Sequence, residues 1–220
     1  RSMRTLMNRV SRGSWAAVLV LTFAPSGVIA QEPVSAATPA PEFQSEFEGL
    51  RKEFDQALRA FYQSYSELKT DAERKSLWAD PVRNPKLAFA PRFRAFAERA
   101  GKHPAAAAAW SWLMQKTEDP QEQAQIVARM LAEFLNAPAI ADFAADLPMA
   151  EWTLGRPKTV EALRTIRAKS QDSGGRLAAA LSLGRLLTAG SHETEKTEGH
   201  TLLEEVVRTA PDSPDAQQAT

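Results

Sequence analysis

An all-α fold follows from three features of this 220-residue chain. Phe43, Phe47, Leu50, Phe54, Ala57, Phe61, Tyr65 and Leu68 recur at steps of three and four. That is the beat of one buried helical face, held over about seven turns. Residues 89–113 then read as a hairpin of two shorter helices, punctuated by Pro91, Gly101 and Pro104. Inside it run five consecutive alanines, Ala105 to Ala109, the residue of highest helix propensity. The predicted architecture is about eight helices, stacked as antiparallel pairs into a short right-handed, tetratricopeptide-like array.

Taken in order, residues 1–30 have the three parts of a secretory signal: a basic start, the apolar stretch 15–24, and the small-residue exit Val28-Ile29-Ala30. Cleavage is expected between Ala30 and Gln31, without an Arg-Arg pair ahead of the apolar run, which points to the general secretion route. The apolar run falls short of the roughly 18–20 residues needed to span a bilayer, so no membrane span is expected after cleavage. Residues 31–42, rich in Pro, Ala and Ser, are expected to form a disordered linker. The helical domain is expected over 43–220, in an exported protein that is periplasmic or secreted.

The long helix opens at Phe43, its aromatic stripe docking on the core rather than forming an oligomer seam. A short helix covers 71–78, and Pro81 and Pro85 mark the turn after it. Pro91 suits the first turn of the next helix, with Phe93, Phe96, Ala97 and Ala100 on one face and Gly101 as its left-handed cap. Pro104 restarts the chain in a helix whose alanines admit a close neighbour. Trp110 and Trp112 lie about 200° apart on a helical wheel, so one should enter the core and the other border a groove.

Asp119-Pro120-Gln121-Glu122 reads as a helix start with Asp119 as cap and Glu122 reaching back as in a capping box. Ile126, Val127, Met130, Leu131, Phe134 and Leu135 are its buried face. Pro138 restarts a shorter helix with Ile140, Phe143, Ala144 and Leu147 inward. Residues 154–157 break the chain before a helix carrying Val160, Leu163 and Ile166. Ser173-Gly174-Gly175 opens the last pair, with Leu177, Ala180, Leu181, Leu183, Gly184 and Leu187 inward and Gly184 as a close-approach point. Its second helix carries Leu202, Leu203, Val206 and Val207. The proline turn after it, followed by Pro214-Asp215-Ala216, resembles a repeat boundary and predicts a further helix, so the chain reads as part of a longer protein.

The hairpin residues Phe89, Ala90, Pro91, Arg92, Phe93, Ala97, Glu98, Pro104, Trp112 and Leu113 carry a resemblance. The chain resembles the helical N-terminal region of secreted thioredoxin-like (redoxin-type) proteins of planctomycete-like bacteria. In that family a signal peptide and an all-helical segment precede a redox-fold domain. Trp110 departs from the pattern, standing where the family has leucine. The resemblance implies a non-catalytic module that presents or docks a downstream thioredoxin-like domain.

Composition narrows the alternatives. Charge balances at 27 basic against 27 acidic residues; losing Arg1, Arg4, Arg9 and Arg12 with the leader leaves 23 against 27, a net charge near −4. A nucleic-acid binder needs a basic stripe instead. With no cysteine, the chain forms no disulfide and performs no thiol chemistry of its own.

The candidate chemical residues each have a plainer reading. His192, Glu193, Glu195, Glu198, His200 and Glu204 are ligand types, with His200 and Glu204 one helical turn apart. Zinc wants three or four ligands on a supported scaffold, and this acid-rich segment between Gly190 and Gly199 reads as a solvated loop. His103 reads as an exposed residue beside a helix cap. Ser173-Gly174-Gly175-Arg176 lacks the longer glycine-and-lysine loop of a phosphate cradle and reads as a helix-start hinge. Asp142 and Asp146 share a helix face, yet acid–base carboxylate pairs normally come from different elements. Tyr62 and Trp152 are of a type that lines a sugar or peptide groove, but core packing is the expectation for both. No catalytic, cofactor-binding or metal-binding residue is assigned, no cofactor is expected, and the expected partners are proteins or peptides. Two other functions remain open: a free-standing envelope scaffold binding peptides or partner proteins, and an α-helical hydrolase or lyase acting through Asp142, Asp146 or Glu151.

Overall fold

The structure, a computed structural model, describes residues 41–211. The expected leader, its cleavage point, the linker up to residue 40 and the helix expected after the final proline turn lie outside the described residues. Within them the chain is all-α, with no strand. It runs α1 (Pro41–Glu67), α2 (Asp71–Ala79), α3 (Pro85–Ala100), α4 (Pro104–Lys116), α5 (Pro120–Glu133) and α6 (Ile140–Asp146). A 3-10 turn (Leu147–Ala150), α7 (Glu151–Leu154), α8 (Arg156–Lys169), α9 (Ser173–Thr188) and α10 (Glu193–Thr209) follow. These ten α-helical segments exceed the number expected, chiefly because the stretch after α6 folds into single turns. Among the described residues, no helix is long and apolar enough to cross a membrane.

Local chemistry sets the boundaries. Thr70 and Glu73 form a reciprocal capping box at α2, Glu73 accepting from the Thr70 N–H at 3.0 Å and Thr70 Oγ1 from the Glu73 N–H at 3.3 Å. At α3 the expectation was wrong: the helix opens at Pro85, two turns before Pro91. Buried Asn84 is its cap, accepting from the Lys86 N–H at 3.0 Å while its amide donates to the Trp78 carbonyl at 2.7 Å. Pro91 then sits inside the helix on its exposed face, where water can solvate the carbonyl one turn back. Gly101 ends α3 at φ +58° and ψ −117°, so glycine is needed for the positive φ, but the backbone is not that of the left-handed cap expected. The long helix starts at Pro41, so the last two residues of the expected linker are helical.

Asp119 caps α5 through the Gln121 N–H at 2.9 Å, but Glu122 closes no capping box. Its carboxylate instead accepts from Thr117 Oγ1 at 2.6 Å and pairs with Arg94 on α3. The expected solvated loop between Gly190 and Gly199 is also corrected. Helix α10 begins at Glu193, with Glu193 and Glu195 in the first turn, where negative charge suits the helix dipole.

Helix α4 is the centre of the fold, with nine of its 13 residues buried, so it is covered on more than one side. Trp112 stacks on Phe93 of α3, centroids 3.7 Å apart, and meets Phe54 of α1 edge-on at 4.8 Å. Trp110 points towards α5, its ring covered by the Arg129 guanidinium at 4.7 Å. Both tryptophans are therefore buried, at 8% and 6% exposure, on different sides of α4. The stripe on α1 docks through Phe47, Leu50, Phe54 and Phe61, as expected of a core face. Each fully buried aromatic of this cluster contributes about 1.5–3 kcal/mol.

Ion pairs record helix direction. On α1 and α3, Glu46 pairs with Arg99 and Glu53 with Arg92, so one number rises as the other falls and the helices are antiparallel. On α8 and α10, Arg156–Glu195, Arg164–Glu198 and Arg167–Glu205 rise together, so those two helices are parallel, both packed on α9. Helix α6 reaches across to pack on α9 as well as α4.

Candidate functional site

Helices α1, α4 and α6 enclose a cleft of about 410 Å³. Helix α1 supplies Arg51 and Asp55 one turn apart, and α6 supplies Asp142 and Asp146 at the same spacing. Between them, α4 contributes Gln115 and Lys116 from its last turn. The apolar part of the wall includes Phe54 and Trp112, already fixed by packing on α3, so the site rests on the centre of the fold.

The five charges are not in contact with one another. No ion pair joins Arg51, Lys116, Asp55, Asp142 and Asp146, although all line one cleft. Gln115 stands between the two that are partly buried: its amide donates to Asp146 Oδ2 and its carbonyl accepts from Lys116 Nζ at 3.4 Å. Burial pushes the Asp146 carboxyl above the ordinary aspartate value; the bond from Gln115 opposes this, and the charge of Asp142 adds to it. Burial likewise pulls the Lys116 ammonium down, helped by the nearby Lys86 charge, against the attraction of Asp146 and Asp55. Chemically the cleft offers two cations and three carboxylates beside an aromatic wall.

The remaining candidates are dispersed. Glu195 bonds Arg156 at 2.9 Å and Glu198 bonds Arg164 at 2.7 Å, while His192, Glu193, His200 and Glu204 are exposed. Among the described residues, no three His, Cys, Asp or Glu side chains are grouped so as to hold a metal ion. Arg156 draws Glu195 below the ordinary glutamate value through that bond. Glu151 faces the same arginine at 3.4 Å.

His103 is itself the cap of α4, partly buried: Nδ1 accepts from the Ala105 N–H at 3.1 Å, and the ring packs on Phe43 at 5.4 Å. Ser173-Gly174-Gly175-Arg176 is no phosphate cradle. Asp172 caps the Gly175 N–H at 2.6 Å, and a Cβ on Gly175 would stand 2.5 Å from Ile140 Cγ2. That glycine exists so that α6 can lie close on α9, which replaces the expected hinge role.

Two aromatic expectations are corrected. Tyr62 is half exposed at the edge of a ring cluster around Trp78, and Trp152 is 96% exposed. Leu147, Ala150 and Leu154 turn inward, which leaves Trp152 out of phase on the outer side of a single turn, near Met149 at 77% exposure. Spacing alone does not reveal this, because the helix around Trp152 is a single turn. The roles of Arg51, Asp55, Gln115 and Lys116 are not readable in the sequence either, because each looks like an ordinary solvated helix residue until three helices come together. Compared with known protein families, curated proteins and solved structures, the chain matches none.

Proposed function

We propose that this chain is a non-catalytic, exported helical module, its helix pairs stacked in tetratricopeptide-like fashion, that presents or docks a thioredoxin-like domain following it. The observation that carries this reading is the rim formed by Met149 and Trp152, two large apolar side chains left in water. An exposed tryptophan beside an exposed methionine is the composition of an interface anchor. The family resemblance of the α3–α4 hairpin supplies the partner. The non-catalytic part is supported by the use of charge: Glu151, Glu195 and Glu198 are committed to arginines that tie helices together.

A second reading, a free-standing envelope scaffold that binds peptides or partner proteins, is favoured by the cleft of unpaired charges between α1, α4 and α6.

The test is to read the gene beyond Thr220 and express the longer chain. Docking at the rim slows peroxide oxidation of Met149 at least about fivefold relative to residues 1–220 alone, since sulfoxide formation follows exposure. Trp152→Ala in the longer chain restores the fast rate. A stop codon directly after Thr220 sinks the docking reading and leaves the scaffold. A redox domain that leaves Met149 equally reactive places docking elsewhere and removes the rim from the account.

A further inference from the structure

In three other grooves of the molecule the arginines are engaged. Beside Trp110, Arg94 holds Glu122, and Arg129 lies over the indole and near Glu133 at 3.7 Å. Along α8, Arg156 and Arg164 are paired with α10. Between α9 and α10, Arg167 holds Glu205 and Arg176 donates to the Ser170 and Gln171 carbonyls. The cleft between α1, α4 and α6 differs from these three, because its cations and carboxylates form no pair. The same is true of the exposed charges in a groove along α1, but in the cleft Asp146 and Lys116 are partly buried.

We propose that this cleft binds a short zwitterionic peptide of dipeptide size with an apolar side chain. The peptide ammonium sits between Asp142 and Asp146, its carboxylate is met by Lys116 and Arg51, and its side chain lies on Trp112 and Phe54. This stands independently of whether a thioredoxin-like domain follows the chain.

Three observations converge on that ligand. The volume, about 410 Å³, falls in the range of small-molecule sites and suits two residues. Asp146 and Lys116 are both partly buried and neither has a counter-ion in contact; Gln115 separates them and satisfies one hydrogen bond of each. A ligand with only one charge would relieve one of these groups and leave the other as it is, whereas a zwitterion relieves both. Burial acts on both groups in the direction that a ligand charge of opposite sign reverses, Asp146 upward and Lys116 downward. The aromatic wall adds apolar area at a fixed place, since Trp112 is locked between Phe93 and Phe54. Its edge selects against a purely polar zwitterion such as diglycine.

The experiment is calorimetric titration of the full 220-residue chain at pH 7 with leucyl-phenylalanine, its N-acetyl and C-amide derivatives, and diglycine. Saturable binding of leucyl-phenylalanine is expected, weakened at least about tenfold by capping either end, because each cap removes a charge-assisted contact. Asp146→Asn and Lys116→Gln are expected to weaken it by a similar factor, with an unchanged far-UV circular dichroism spectrum. Should either variant misfold, the exposed Asp142→Asn and Arg51→Gln serve in its place with the same expected loss. The proposal is overturned if leucyl-phenylalanine gives no saturable heat up to about 10 mM, a concentration at which even millimolar affinity is visible. It is equally overturned if the capped peptides bind as well as the free one, or if folded variants bind as the parent chain does. Loss of binding in the charge variants would leave Met149 protection in the longer chain untouched, so this result and the docking result are read separately.

Discussion

Gly199 faces the backbone of Gly184: a Cβ placed on Gly199 would stand 2.7 Å from the Gly184 carbonyl oxygen and 2.8 Å from the Thr188 nitrogen. The crossing of α10 over α9 is therefore a contact of backbone on backbone, with Thr188 and Leu203 closing its sides. Such an approach brings the parallel helices α8 and α10 close enough to share ion pairs around α9, and it cannot yield by moving a flexible side chain.

Gly199→Ala is expected to destabilise the chain by about 1–3 kcal/mol, as overpacking does where the neighbours are backbone. Gly49→Ala in α1 is the matched control, since nothing lies within 4 Å of a Cβ there. Alanine at that exposed helical position is expected to stabilise by about 0.5–1 kcal/mol. Urea midpoints measured side by side check both signs. Equal effects of the two substitutions would mean that α9 and α10 do not touch in this way.

Trp112 and Trp152 make opposite predictions from the same residue type. Trp112→Ala removes a ring stacked on Phe93 and edged by Phe54, and is expected to cost about 3–5 kcal/mol. Trp152→Ala removes a ring already in water and is expected to change stability by less than about 0.5 kcal/mol. Denaturant unfolding of each variant, followed by circular dichroism, separates them. A large cost at Trp152 would mean that the rim is packed.

The difference between these residues shows what was legible. A side chain's phase within a long helix can be read from its neighbours, so the stripe on α1 and the buried faces of α5 and α9 followed from spacing. Helix α4, in contrast, is buried on more than one side and takes both tryptophans inside. Phase fails where helices are one turn long, which is how Trp152 was assigned to the core. Proline position misleads as well: Pro91 suits a helix start, yet Asn84 accepts from the Lys86 N–H and α3 opens at Pro85. The cleft was not legible at all. Its two carboxylates on α6 were visible as a pair, but their surroundings on α1 and α4 lie far away along the chain.

Asp146 makes stability depend on acidity in a direction opposite to Glu73, Asp80 and Glu195. Burial raises its folded-state value, so the folded chain holds the proton to higher pH than the unfolded chain does. Its contribution is therefore most favourable at low pH and is lost as pH rises from the ordinary aspartate value through the raised one. Glu73, Asp80 and Glu195 are lowered by hydrogen bonds from Thr70, from the Arg83 and Val82 N–H groups, and from Arg156 respectively. Their contributions are present above the ordinary range and fade as pH falls below it. Asp146→Asn is thus expected to be more stable than the parent at pH 7, by less than about 1 kcal/mol, with the difference vanishing near pH 3. Urea midpoints at the two pH values check it; a destabilised variant at pH 7 contradicts the account of the cleft.

Arg156 joins three helices from one side chain. It bonds Glu195 of α10 and faces Glu151 of α7, and it donates to the Leu186 carbonyl at 2.9 Å in the last turn of α9. That carbonyl belongs to the set a helix end leaves without an internal partner, where a cation also suits the dipole. Gly190 leaves the space, since a Cβ there would meet the guanidinium at 2.6 Å. Arg164 makes one exposed pair with Glu198 and nothing comparable. Arg156→Ala is therefore expected to cost about 1–2 kcal/mol, dominated by the abandoned carbonyl, and Arg164→Ala less than about 1 kcal/mol. Hydrogen exchange adds a local reading: Arg156→Ala should speed exchange in the last turn of α9, and Arg164→Ala should leave it unchanged. If 1 M salt reduced the cost of Arg156→Ala to that of Arg164→Ala, the carbonyl bond would not be the dominant contribution, because screening weakens exposed ion pairs far more than a hydrogen bond to a helix end.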